Sequence, residues 1–107
     1  MGLFGFSIGK GMDEYVAEAV ERGITIVDVR EQNEFARGHV PGAMNIPLST
    51  LRQATQAIAD KEAPLYVHCL SGARSSRAAK QLAQMGFTNV TNIGGINTYR
   101  GPIEKGL

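Results

Sequence analysis

From Asp13 to Arg22, apolar side chains recur at Tyr15, Val16, Ala19 and Val20. That spacing marks one face of a helix, and Gly23 follows where a helix would stop. The pattern then changes. Ile24-Thr-Ile-Val-Asp-Val29 is β-branched and nearly continuous, which predicts a strand covered on both faces. Glu31 to Arg37 fits a short helix closed by Gly38, and Ala43 to Ile46 fits a short strand between Pro41 and Pro47. Thr50-Leu-Arg-Gln53 has capping-box spacing, with Leu51, Ala54 and Ile58 on one helical face. Pro64 breaks the chain ahead of a strand at Leu65 to His68. Ser75 to Met85 is the next helical pattern, with Ala78, Ala79, Leu82 and Ala83 inward, Arg77, Lys80 and Gln84 outward, and Gly86 as its end. Val90 to Ile93 reads as a last strand, and Gly94-Gly95 reads as a tight turn after it.

Strands therefore alternate with helices. That order predicts right-handed crossovers and a mostly parallel sheet with helices on both faces. Ligands of such sheets bind beyond the carboxyl ends of the strands.

Composition narrows the class. The chain has 107 residues, 43% hydrophobic and 20% charged, which fits one globular domain over residues 1–107. No apolar run approaches the roughly 20 residues of a membrane span. The formal net charge is +1, from 11 Lys and Arg against 10 Asp and Glu, so no basic excess points to nucleic acid. The N-terminal stretch has neither the basic start nor the cleavage site of a secretory signal, which leads us to expect a cytoplasmic protein with a reduced thiol. The chain holds one cysteine, so no disulfide within it and no four-cysteine zinc site can form.

That cysteine, Cys69, follows the Leu65–His68 strand and precedes Leu70-Ser-Gly-Ala-Arg74 and the helix from Ser75. A strand–loop–helix turn has direct chemical consequences. The first amides of a helix have no partners within it and, with the helix dipole, favour an anion. Gly72 lets the loop curl further amides into the same hollow, and Arg74 adds positive charge. A thiol there is expected to ionise easily and act as a nucleophile. The competing reading is a small apolar residue at a strand end.

At this point the sequence resembles a family. Asp28-Val-Arg-Glu31, Glu34-Phe35, Gly38-His-Val-Pro-Gly-Ala43, Asn45-Ile-Pro-Leu48 and Cys69-Leu-Ser-Gly-Ala-Arg-Ser75 together look like a rhodanese domain. The resemblance covers Asp28 to Gly95. It implies the rhodanese-like α/β fold, with a mostly parallel five-stranded sheet whose fifth strand comes from around Phe4 to Ile8. It also implies sulfur transfer. Cys69 would attack the outer sulfur of a donor such as thiosulfate and carry a persulfide, with the amides of Leu70, Ser71, Gly72, Ala73, Arg74 and Ser75 holding the terminal sulfur. The implied partners are a small sulfur donor and a thiophilic acceptor, cyanide or a thiol, or else a desulfurase or thiol protein. No metal, nucleotide or organic cofactor is implied.

Other residues have two readings each. Asp28 and Arg30 either orient the loop and attract an anionic donor, or form an ion-pair network in which Arg30 meets Glu34. The second reading is preferred. His39 is placed in an architectural turn rather than as a general base. His68 is directed away from Cys69 by strand alternation. Tyr99 stands near the place where the family often carries tryptophan. Phosphatases and arsenate reductases related to the fold have five residues between cysteine and arginine; here four, Leu70 to Ala73, intervene. Three functions are thus weighed: a sulfurtransferase, a partner-loaded persulfide carrier or regulatory module, and a small phosphatase or arsenate reductase.

Overall fold

A computed structural model describes residues 10–107. Helix α1 (Met12–Arg22) leads into strand β1 (Thr25–Asp28). Helix α2 (Gln32–Arg37) and the short β2 (Met44–Asn45) follow. A 3-10 segment (Leu48–Gln53) runs into α3 (Ala54–Ala57), and β3 (Leu65–Cys69) comes next. Helix α4 (Ala73–Gln84), β4 (Val90–Gly95) and a 3-10 turn (Ile96–Thr98) complete the described chain.

The strands form one parallel sheet in the order β2-β1-β3-β4. Four strands lie among the described residues; the fifth, expected at residues 4–8, falls outside them. The fold is the expected rhodanese-like α/β architecture. Its two faces are covered separately. On one, Val27, Val29, Leu65, Val67 and Cys69 pack with Leu51, Ala54, Ala78, Leu82 and Phe87. On the other, Ile26, Tyr66 and Ile93 pack with Met12, Val16 and Ala19 of α1. β3 lies between β1 and β4 and is buried at all five positions, His68 included, which is why its sequence does not alternate apolar with solvent-facing residues.

Several expectations are corrected. Val20 of α1 is exposed and Met12 takes the inward position instead, because the buried stripe runs 12, 16, 19. Ala83 is exposed on α4, while Ala78 and Leu82 are buried. Thr50 does not cap a helix. Its backbone is non-helical (φ −128°, ψ 33°), and the turn begins two residues earlier, after Pro47. Leu51 and Ala54 still enter the core, and Ile58 packs against it. Gly94 and Gly95 are not a turn but the last residues of β4, which continues alongside β3 as far as Cys69. The helix after the cysteine begins at Ala73, two residues earlier than expected, because Gly72 completes the reversal of the chain by itself.

Candidate active site

β3 delivers Cys69 to the carboxyl end of the sheet, and Leu70, Ser71 and Gly72 turn the chain into α4. Gly72 has φ 105°, a conformation glycine adopts without strain. It directs its own N–H to Cys69 Sγ at 3.0 Å. The Ser75 hydroxyl lies 3.5 Å from the sulfur. Cys69 is 1% exposed and Ser75 is fully buried. Burial pushes the Cys69 thiol up. The Ser75 hydroxyl and the amides of Ser75, Gly72 and Ser71 favour the thiolate, and together they bring the thiol below its ordinary value.

β4 forms the floor of the loop. A Cβ on Gly95 would stand 2.1 Å from the Leu70 carbonyl oxygen and 2.5 Å from Ser71 Cα, so only glycine permits the loop to lie so close. The Asn97 amide donates to the Leu70 carbonyl at 3.1 Å. β4 also skips one residue against β3: Val67 pairs with Asn92, but His68 pairs with Gly94. This bulge aims Asn92 and Gly95 at the loop together. Asn92 Oδ1 accepts from the Ser75 hydroxyl (2.8 Å) and the Gly94 amide (3.0 Å), and its Nδ2 donates to the Gly72 carbonyl (3.1 Å).

Arg74 lies in the first turn of α4. Its guanidinium donates to both carboxylate oxygens of Glu34, at 2.7 and 2.9 Å. The Arg74 guanidinium holds the Glu34 carboxyl down to about 2, with burial opposing and the Glu31 amide assisting. In turn Glu34 raises Arg74. The pair fastens α2 to the turn that carries the cysteine.

The ion-pair reading of Asp28 and Arg30 holds, with a different partner. Arg30 does not meet Glu34, which is occupied by Arg74. Arg30 Nε instead lies 3.0 Å from both Asp28 oxygens and Nη2 lies 2.7 Å from Oδ2, with both residues buried. Arg30 Nη2 also donates to the Gly38 carbonyl at 2.7 Å, and Asn45 Nδ2 donates to the carbonyls of Asp28 and Arg30. The network clamps the exit of β1 onto the Gly38 turn. A buried charge pair survives only when its remaining hydrogen bonds are satisfied in this way.

His68 Nδ1–H donates to the Cys69 carbonyl at 3.0 Å, since a carbonyl only accepts. Its Nε2 lies 3.7 Å from Asp28 Oδ2. Burial lowers the His68 imidazolium, and the Asp28 charge offsets only part of that, so the contact is not an ion pair at neutral pH. His39 stacks on Phe35 with ring centroids 3.7 Å apart and donates from Nδ1 to the Phe35 carbonyl at 2.8 Å. It serves the turn, as expected.

The structure therefore gathers Gly72 and Ser75 around the Cys69 sulfur, with the Ser71 amide favouring its ionised form. Leu70 stands exposed at the rim, Ala73 opens α4, and Arg74 braces the turn. Sequence reasoning gave no site role to Glu34, Asn92 or Gly95. Glu34 was visible within the quoted motifs, but nothing near Asn92 in the chain marks it. A groove of about 530 Å³ beside α1, lined by Asp13, Val16, Val20, Pro41, Tyr99 and Pro102, lies on the α1 side of the sheet and does not include Cys69.

With that geometry in hand, comparison with known proteins is informative. Residues 12–101 match the model of the rhodanese-like domain. The chain is 41% identical over 98 residues to the uncharacterized Bacillus subtilis protein YqhL, covering 91% of this chain and 77% of that one. It is 37% identical over 81 residues to the Escherichia coli thiosulfate sulfurtransferase PspE, covering 75% and 78%. Among solved structures, a rhodanese with anions from E. coli superposes with a TM-score of 0.71 at 36% identity, covering 77% of this chain and 98% of that one. On the strength of the matched model and these relatives, the chain belongs to the rhodanese-like family.

Proposed function

We propose that this protein transfers sulfane sulfur through a Cys69 persulfide. One observation carries the reading: the Gly72 amide at 3.0 Å and the Ser75 hydroxyl at 3.5 Å meet a buried sulfur whose ionisation they favour, with the amides of Ser71 and Ser75 acting in the same direction. The Cys69 thiolate attacks the outer sulfur of thiosulfate or a similar donor. The donor S–S bond breaks, and sulfite departs with its electron pair. A thiophilic acceptor, cyanide or a thiol, then takes the outer sulfur and returns Sγ to thiolate. The Leu70–Ser75 segment holds the terminal sulfur, and Asp28 with Arg30 supports the strand beside it. Relatives named thiosulfate sulfurtransferase support this class of chemistry. A cytoplasmic setting, where thiols stay reduced, fits the chain's single cysteine.

The test is intact mass after incubation with thiosulfate, with and without a reductant. A reductant-sensitive gain of one sulfur on Cys69 is expected. No gain in folded protein with an alkylatable Cys69 would overturn thiosulfate as donor.

Leu70 favours a second reading. It is 46% exposed at the rim of the loop, an apolar contact suited to a partner that loads the sulfur directly. In that case a cysteine desulfurase would load Cys69 much faster than thiosulfate does.

A further inference from the structure

The Ser75 hydroxyl has one proton and more than one claimant for it. Asn92 Oδ1 is the nearest acceptor at 2.8 Å, the Gly72 and Gly94 carbonyls lie at 3.2 and 3.4 Å, and Cys69 Sγ lies at 3.5 Å. The orientation of the Asn92 amide is fixed, because its oxygen accepts the Gly94 N–H while its nitrogen donates to the Gly72 carbonyl. It cannot flip to offer Ser75 a donor instead. When Sγ is a thiolate, it is the strongest acceptor within reach, since hydrogen bonds to ionised groups are the stronger ones. When Sγ is a thiol, or is bonded to a second sulfur, its demand for that proton falls.

We propose that Asn92 is a positioning residue that competes with Cys69 for the Ser75 proton, so that the hydroxyl serves Sγ in the empty protein and Asn92 in the loaded one. The inference rests on the sulfur-transfer reading. In discharge, the acceptor bonds to the outer sulfur, the Sγ–S bond breaks, and its electron pair remains on Sγ. The Ser75 O–H then swings back from Asn92 to the new thiolate. Asn92 thereby favours the thiol and persulfide forms over the thiolate.

The experiment is the pH dependence of Cys69 alkylation by iodoacetamide, with folding checked by circular dichroism. Asn92 is exposed, so its replacement removes little packing. Asn92→Ala is expected to lower the alkylation midpoint by about half a pH unit, because Ser75 loses its nearest competing acceptor and keeps only the longer contacts to the Gly72 and Gly94 carbonyls. Asn92→Asp keeps the acceptor and adds charge, and is expected to raise it. Both variants lose the bond to the Gly72 carbonyl, so a shift in the same direction for both would assign the effect to loop anchoring and overturn the proposal. In a Ser75→Ala background, Asn92→Ala is expected to leave the midpoint where Ser75→Ala alone puts it. A further fall there would also overturn it. The titration needs no sulfur donor, so its outcome is independent of whether thiosulfate loads the unmodified protein.

Discussion

Arg74 and Glu34, forty residues apart in the chain, face each other as a two-pronged pair that ties the cysteine loop to α2. Each side chain is about one-quarter exposed (28% and 24%), so solvent screens part of the attraction. Its worth lies mainly in geometry, because α4 cannot rotate away from α2 while both bonds hold.

Glu34→Gln is therefore expected to destabilise the protein by only about 1 kcal/mol. Sulfur transfer should fall further, by about tenfold, as the first turn of α4 loosens. The pair also has a pH signature. The folded Glu34 carboxyl sits at about 2 against an ordinary 4.5, so its contribution is fully present above about 4.5 and is lost as pH falls toward 2. Urea titrations between those limits should show wild type losing more stability than Glu34→Gln.

Ser75→Ala should raise the Cys69 thiol, because the hydroxyl is the foremost group favouring its thiolate. A rise of about one unit is expected in the alkylation midpoint. Below that midpoint the variant would hold about tenfold less thiolate at a given pH and would load sulfur correspondingly more slowly. Stopped-flow alkylation across the range checks the sign. Cys69→Ser should abolish transfer from thiosulfate to cyanide altogether.

Gly95→Ala places a methyl group 2.1 Å from the Leu70 carbonyl oxygen, and backbone rather than a flexible side chain must yield. A loss of about 3 kcal/mol is expected, at the upper end for overpacking. Thermal unfolding checks the loss. Any protein that does fold should show a displaced loop as slower alkylation of Cys69 at neutral pH.

Arg30→Met should leave the buried Asp28 carboxyl without its counter-ion. The expected cost is about 3–5 kcal/mol, read as a fall in the urea midpoint. His39→Phe makes a contrast. The stack on Phe35 can persist, and the pH profile of sulfur transfer should not move, since His39 contacts Phe35 and Glu104 rather than the sulfur.

Much of this arrangement is legible in the chain. The β-branched run at Thr25 and the run from Leu65 after Pro64 announce buried parallel strands, and Cys69 with Gly72 and Ser75 announces the hollow between strand and helix. What the sequence conceals is reached through space rather than along the chain. Asn92 looks like any polar residue on a strand. Its meaning comes from a bulge that no local pattern announces. Gly95 looks like half of a turn, because a glycine required for close backbone approach cannot be told by composition from one required for φ. Arg30 looks like a partner for Glu34 at helical spacing. The structure instead gives each of them the nearer ion of opposite sign, Asp28 for Arg30 and Arg74 for Glu34.

The depth of Cys69 has one more consequence. At 1% exposure, the encoded sulfur is recessed, and the rim that solvent meets is Leu70. On the sulfur-transfer reading, the atom nearest that rim is the one the donor leaves behind, held by the loop. An acceptor thus touches cargo rather than cysteine and must come at it end-on. Empty and loaded molecules differ by a single sulfur within the loop, and loading requires no change of fold.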